Sequence, residues 1–254
     1  MPVFKINNEF VYFAHVPKCG GKSVESYIRR RFGDIAFLEP LYLQRPPHAR
    51  WSCTSPQHLD WESFTRLFPE NWITASFGIV RHPLARVKSA FDYQFSVAKT
   101  LNENDNITDW FASYVQNFDT EIYKYDHHLR PQSDLLPPGA QIFHLELGLD
   151  GIVSYLDECA GDSSGPRTIF HENKRRSGNA PSEQASAVTP QLKEAVSAFY
   201  EKDFQTFGYH IDRKKPDATA PYKAPVQDTG VFSRRTLEAL SLNLKKIGKK
   251  VLKS

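Results

Sequence analysis

Two stretches of the chain switch hydrophobic period across a short polar break. Residues 10–16 (FVYFAHV) form an unbroken aromatic and β-branched run that Pro17 ends, which predicts a buried strand. From Ser23 the spacing becomes helical: Val24, Tyr27, Ile28 and Phe32 lie at i, i+3, i+4 and i+8, along one helix face. Residues 76–80 (SFGIV) are again strand-like, and Pro83 then suits the first turn of a helix. Leu84, Val87, Phe91 and Phe95 step by 3, 4 and 4, giving that helix an apolar, partly aromatic underside.

Later elements follow the same logic. Residues 107–118 read as a helix, 141–145 as a strand and 149–159 as a helix, with loops at 161–165 and 175–181. Leu192, Ala195, Val196 and Phe199 mark a last core helix, extended by Phe204, Phe207 and Tyr209 as aromatic packing. Strands alternating with helices predict a single α/β domain over residues 1–214, with a central parallel sheet flanked by helices. Residues 215–230, rich in Pro and Ala, read as a linker.

Composition narrows the class. The 254 residues are 40% hydrophobic and 24% charged, which excludes a disordered chain, a collagen-like repeat and a coiled-coil rod. No window approaches the roughly 18 apolar residues of a membrane span, and Asn7, Asn8 and Glu9 interrupt any signal-peptide pattern. The three cysteines (Cys19, Cys53, Cys159) lack CxxC spacing, so a reduced compartment is expected and no zinc site is implied. The net charge is +3, but residues 215–254 carry nine Lys/Arg against three Asp/Glu, so residues 1–214 carry 3 − 6 = −3. A slightly acidic body argues against a nucleic-acid-binding core.

Between the first strand and helix lies PKCGGKS, residues 17–23. Its end looks like a Walker A loop, G-x-x-x-x-G-K-[ST], but Val16 stands where the first glycine belongs. The shorter loop can still turn successive N–H groups at a helix N-terminus toward an anion, with Lys18 and Lys22 adding charge and Ser23 a hydroxyl. A glycine turn that merely joins strand to helix is the plainer reading, and it leaves both lysines without a purpose.

HVPKCGGKSV resembles the 5′-phosphosulfate loop of sulfotransferases that use PAPS (3′-phosphoadenosine 5′-phosphosulfate), particularly the carbohydrate branch, whose loop commonly reads PKTGGTS. Here Cys19 and Lys22 replace threonines. RHPLARVKSAF, residues 81–91, is similar to the family's 3′-phosphate motif, an arginine at a strand end and a serine eight residues later: Arg81 and Ser89. SPQHLD (55–60) places His58 where relatives carry a histidine taken as the base; HHLRPQS (127–133) resembles an acceptor-side segment. NKRR (173–176), with Lys174 and Arg176, resembles the basic loop over the nucleotide, and residues 199–209 the end of the domain. The likeness runs over about residues 9–210.

That resemblance implies transfer of a sulfuryl group from PAPS to a hydroxyl, with a carbohydrate as the expected acceptor, PAP as product and no metal. It implies a donor site built from Lys18, Cys19, Gly20, Gly21, Lys22, Ser23, Arg81, Ser89, Lys174 and Arg176. Lys18 and His58 are the implied catalytic pair, with His48 the runner-up base and His15 a packed histidine. Animal members carry a membrane anchor ahead of this domain; with the first strand near residue 10, a cytoplasmic, bacterial-type member is expected. A P-loop phosphotransferase and a PAP-binding module without catalysis are the competing classes. The aromatics Tyr42, Trp51, Trp61 and Trp72 serve either to stack on sugar rings or to pack the core.

Two further expectations stand apart. Cys19, beside Lys18 and a helix N-terminus, is expected to oxidise before Cys53 and Cys159. In residues 231–254, Leu237, Leu240, Leu244, Ile247 and Val251 fall on one helical face and five lysines crowd the other. Such a basic amphipathic helix either lies on an anionic membrane surface, packs back on the core or docks on a partner. Oligomeric state is not written in the sequence.

Overall fold

The strand read at residues 10–16 is the second of a five-stranded sheet. The computed structural model describes residues 2–170 and 180–217 and the strand at 222–223. Strands β1 (Val3–Ile6), β2 (Glu9–Ala14), β3 (Ile73–Val80), β4 (Gln141–His144) and β5 (Tyr222–Lys223) lie side by side in chain order. β2, β3 and β4 run parallel, as expected for the centre, while both edges are antiparallel. The β1–β2 edge is a hairpin the residue pattern did not announce. Its two loop residues, Asn7 and Asn8, both take positive φ (49° and 69°), which matches the twist of a tight hairpin, and asparagine tolerates this conformation. Tyr222–Lys223, inside the stretch read as a linker, forms the other edge.

Eight helices connect these strands among the described residues. They are α1 (Gly21–Phe32), α2 (Trp61–Thr65), α3 (Pro83–Ser96), α4 (Ile107–Gln116), α5 (Phe118–Glu121), α6 (Asp150–Ala160), α7 (Pro190–Phe199) and α8 (Glu201–Phe207). The helix expected over 107–118 stops at Asn117, whose φ/ψ of −106°/15° breaks the turn before α5. Alternation along β2 sends Tyr12 and Phe13 to opposite faces. Tyr12 stacks on Phe64 of α2 (4.5 Å), and Phe13 stacks on its register partner Phe77 (4.9 Å), which meets Tyr155 of α6. Helices therefore cover both faces. A second apolar cluster joins Phe91 of α3, Phe111 of α4 and Val196 of α7.

Because β2, β3 and β4 point the same way, their carboxyl ends share one edge of the sheet. In open α/β sheets ligands bind in the crevice outside those ends. The segments leaving that edge are residues 15–20, 81–82 and 145–149. The linker and C-terminal helix read at 215–230 and 231–254 lie largely outside the described residues, as do Lys174 and Arg176. Among the described residues no helix is long and apolar enough to cross a membrane.

Candidate functional site

The loop after β2 is built around two glycines with different reasons to be glycine. Gly20, the N-cap of α1, has φ 85°, where an L side chain is strained. At Gly21 the constraint is space: an added Cβ would sit 2.0 Å from His15 Nε2. Lys18 also takes a left-handed conformation (φ 68°). The N-termini of α2, α4 and α7 are closed by the side chains of Asp60, Asn106 and Thr189. α1 has no side-chain cap and no acidic residue in its first turn; Ser23 N closes a turn on the Gly20 carbonyl (3.1 Å), and the positive end of the helix dipole favours an anion.

Around that loop the cations are crowded. Arg81 Nη1 donates to the Lys18 carbonyl (3.1 Å), and Lys18 Nζ lies 4.1 Å from the Tyr93 ring centroid. Burial, then the charges of Arg81 and Lys22, pushes the Lys18 ammonium down to about 8. Lys18 and Arg81 are partly buried and Lys22 is exposed, and cations that repel one another in this way stand ready for a polyanion.

Arg81 is held from behind by a relay. The Gln132 side-chain amide brackets its main chain, accepting from Arg81 N and donating to Arg81 O, both at 2.9 Å. The fully buried Asp203 of α8 accepts in turn from Gln132 N (2.8 Å) and Ser133 N (2.9 Å). Arg86 of α3, also fully buried, donates to Pro17 O (3.1 Å) and His127 O (3.2 Å), tying the loop to the 127 segment. From the end of β4, Glu146 accepts from His82 N and from the Tyr209 hydroxyl, both at 2.8 Å.

His58 sits beside this basic pocket. Its Nδ1 meets Asp126 Oδ2 at 2.7 Å, and Asp126 also accepts from Ser55 N (2.7 Å) and Ser55 Oγ (2.6 Å). Burial works to raise the Asp126 pKa, yet the adjacent His58 and the hydrogen bonds from His58 and Ser55 hold it far below the carboxylate range. Asp126 lies in a run of three left-handed residues, Tyr125, Asp126 and His127 (φ 57°, 55° and 60°), a strained backbone of the kind that clusters at active sites. With Nδ1 committed to Asp126, His58 keeps the Nε2 lone pair for another proton.

The neighbouring imidazoles are otherwise occupied. His15 is packed, as expected, with Nδ1 on Glu25 at 2.5 Å and its ring 5.0 Å from His58. His127 donates from Nδ1 to the His58 carbonyl (2.8 Å) and accepts from Arg130 at Nε2 (3.3 Å). Burial, then Arg130, brings His127 down to about 4. The buried His128 lies 5.6 Å from the His58 ring. One ligand-type atom each of His58, Asp126 and His128 falls within 4.8 Å of the others, a spacing that could hold a metal ion. The runner-up His48 is exposed in the one-turn segment Pro47–Ala49.

Of the residues picked from the sequence, Lys18 to Ser23 and Arg81 meet at one edge of the sheet. Ser89 is half-buried on α3, two turns beyond Arg81. Asp126, Gln132 and Asp203 were not picked. Gln132 lies inside a recognised segment, and Asp203 is one of two carboxylates, with Glu201, in the aromatic stretch 199–209, but nothing local marks their partners. Of the four aromatics, Tyr42 and Trp61 pack inward, Trp61 partly, whereas Trp51 and Trp72 are about half exposed (51% and 52%).

The expectation for Cys19 is overturned. Its thiol faces inward beneath the loop, fully buried, with Sγ 3.4 Å from Gln132 Oε1. Burial pushes it up to about 12, against the pull of Arg86 and Arg81. Desolvation thus outweighs the helix terminus. Cys53 is exposed and Cys159 intermediate, so iodoacetamide is expected to label Cys53 first and Cys19 last; mass spectrometry of the labelled peptides reads the order.

Set against known families, residues 4–210 match the family model described as the sulfotransferase family. No curated protein and no solved structure matches the chain.

Proposed function

The chain belongs to the sulfotransferase family, and from that premise we propose that it moves a sulfuryl group from PAPS to a hydroxyl acceptor, a carbohydrate, with His58 as the base. The observation that carries this reading is the meeting of an uncapped helix N-terminus, two lysines and Arg81 at one sheet edge, next to a carboxylate-held histidine. PAPS supplies the activated sulfuryl group and a phosphate leaving group. The N–H groups of residues 19–22, with Lys18, Lys22 and the Ser23 hydroxyl, would hold the 5′-phosphosulfate; Arg81 and Ser89 would hold the 3′-phosphate; Lys174 and Arg176 belong to the expected closing loop. Those residues fit a polyanion, because the charges of Lys18, Lys22 and Arg81 act on one another while the first turn of α1 holds no acidic residue.

His58 Nε2 would take the acceptor's proton as that oxygen bonds to sulfur, while Lys18 and the loop amides receive the charge left on the phosphate. Positioning and fixed dipoles should supply most of the acceleration. Half-exposed Trp51, edge-on to Tyr42 at 5.9 Å, offers an aromatic face to a sugar ring.

Thermal unfolding with PAP, against ADP, ATP and Mg·ATP, tests the donor site. PAP at about 100 times its Kd should add ~2.7 kcal/mol to stability, and Arg81→Ala should abolish that shift. Binding needs Lys18 protonated, so PAP affinity should be highest below about pH 8 and fall as pH rises through it, with proton uptake in calorimetry there. Stabilisation by Mg·ATP and none by PAP would overturn the reading in favour of a phosphotransferase.

A further inference from the structure

The four histidines of the centre do not turn the same atom to the same kind of partner. His15 and His58 each present Nδ1 to a carboxylate, and His127 presents Nδ1 to a main-chain carbonyl. His128 presents Nδ1 to the side-chain amide of Gln94, with Nε2 of Gln94 at 3.4 Å. The Thr100 hydroxyl meets Gln94 Oε1 at 2.8 Å on the far side of the amide, whose nitrogen faces the ring.

An amide N–H only donates, so His128 Nδ1 accepts and carries no proton. The one proton of the neutral ring is then on Nε2. His58 is wired in reverse, with Nδ1–H on Asp126 and a lone pair on Nε2. Two rings 5.6 Å apart thus hold opposite tautomers, one fit to take a proton and the other to offer a hydrogen bond.

The surroundings keep His128 neutral. It is buried, and the groups that weigh on its protonation are His58, Lys18 and Arg86, opposed by Asp126. The Tyr93 ring packs edge-on against it at 4.9 Å and carries Lys18 Nζ over its face. Burial, then the neighbouring His58, Lys18 and Arg86, holds the ring well below the usual imidazole range.

We propose that Gln94 and Thr100 lock His128 as the Nε2–H tautomer, making it a neutral hydrogen-bond donor to a sulfate or phosphate oxygen at the Lys18 end of the site. In this role it is neither a second base nor a metal ligand. A donor of this kind keeps its proton through the reaction and is oriented before charge develops, the arrangement in which fixed dipoles contribute most. The inference rests on the sulfuryl-transfer reading for its purpose, but the tautomer is a property of the protein alone.

Long-range ¹H–¹⁵N correlation spectra of the ¹⁵N-labelled full chain read the tautomer directly, with His128→Gln assigning the resonances. Expected are an unprotonated Nδ1 and a protonated Nε2 that do not titrate between about pH 6 and 8, and a flip to Nδ1–H in Gln94→Glu, whose carboxylate only accepts. Adding inorganic sulfate or PAP should move the His128 Nε2–H signal. An Nδ1–H form in the unmodified chain, or one equivalent of Zn²⁺ shifting His58 and His128 together, would overturn the proposal. In PAPS turnover, His128→Ala should lower kcat about 10²-fold, while His128→Gln, which keeps an N–H near the Nε2 position, should stay within several-fold. Equal losses in the two variants would also refute the donor role. Failure of the unmodified enzyme to transfer sulfate would count against the proposed function and leave the tautomer result standing.

Discussion

His58→Ala is expected to lower kcat by about 10²- to 10⁴-fold, the usual contribution of a general base, while leaving PAP affinity nearly unchanged. The two halves of the site justify the split. His58 bonds to Asp126 and Ser55, whereas the groups that would hold PAP are the α1 amides, Lys18, Lys22 and Arg81. Asp126→Asn should act in the same direction with a changed pH profile, because an amide nitrogen facing Nδ1 favours the tautomer with no lone pair on Nε2. Calorimetry with PAP beside initial rates with PAPS separates the two effects. Unchanged turnover in His58→Ala would remove it as the base; intact PAP binding without turnover in the unmodified chain would mark a binding module.

Asp203→Ala is expected to cost stability far from any ligand. Its two carboxylate oxygens accept from consecutive main-chain N–H groups, Gln132 and Ser133, in a fully buried setting. Removing them strands two buried donors at about 1–3 kcal/mol each. For a domain of this size each kcal/mol lowers Tm by about 2–4 °C, so a fall of ~4–24 °C is expected. Gln132 is the clamp on Arg81, so PAP affinity should weaken in the same variant. A Tm within about 2 °C of the unmodified protein would show that water or a neighbour takes over both N–H groups.

These two expectations sit at opposite ends of what the chain reveals on its own. His58 and Arg81 were picked through their likeness to family segments, and Lys18, Gly20 and Gly21 through a glycine loop that follows a short strand. The reason for Gly21 was invisible in the sequence: the His15 ring occupies the space of its Cβ. Cys19 was misjudged because helix-terminus and lysine effects are local, while the burial that overrides them comes from packing under the loop.

By itself the sequence determined the strand–loop–helix units, the parallel centre of the sheet and the cationic loops at its carboxyl edge. Those features depend on hydrophobic period, on proline and on glycine, all of which act over a few residues. Only the tertiary structure decided the partners. Asp126 reaches His58 across 68 residues, Gln132 reaches Arg81 across 51, and Asp203 reaches Gln132 across 71. The same holds for the Gln94 amide that meets His128 across 34 residues. A buried polar side chain must find its hydrogen bond wherever packing brings a donor or acceptor, and no spacing along the chain encodes that meeting.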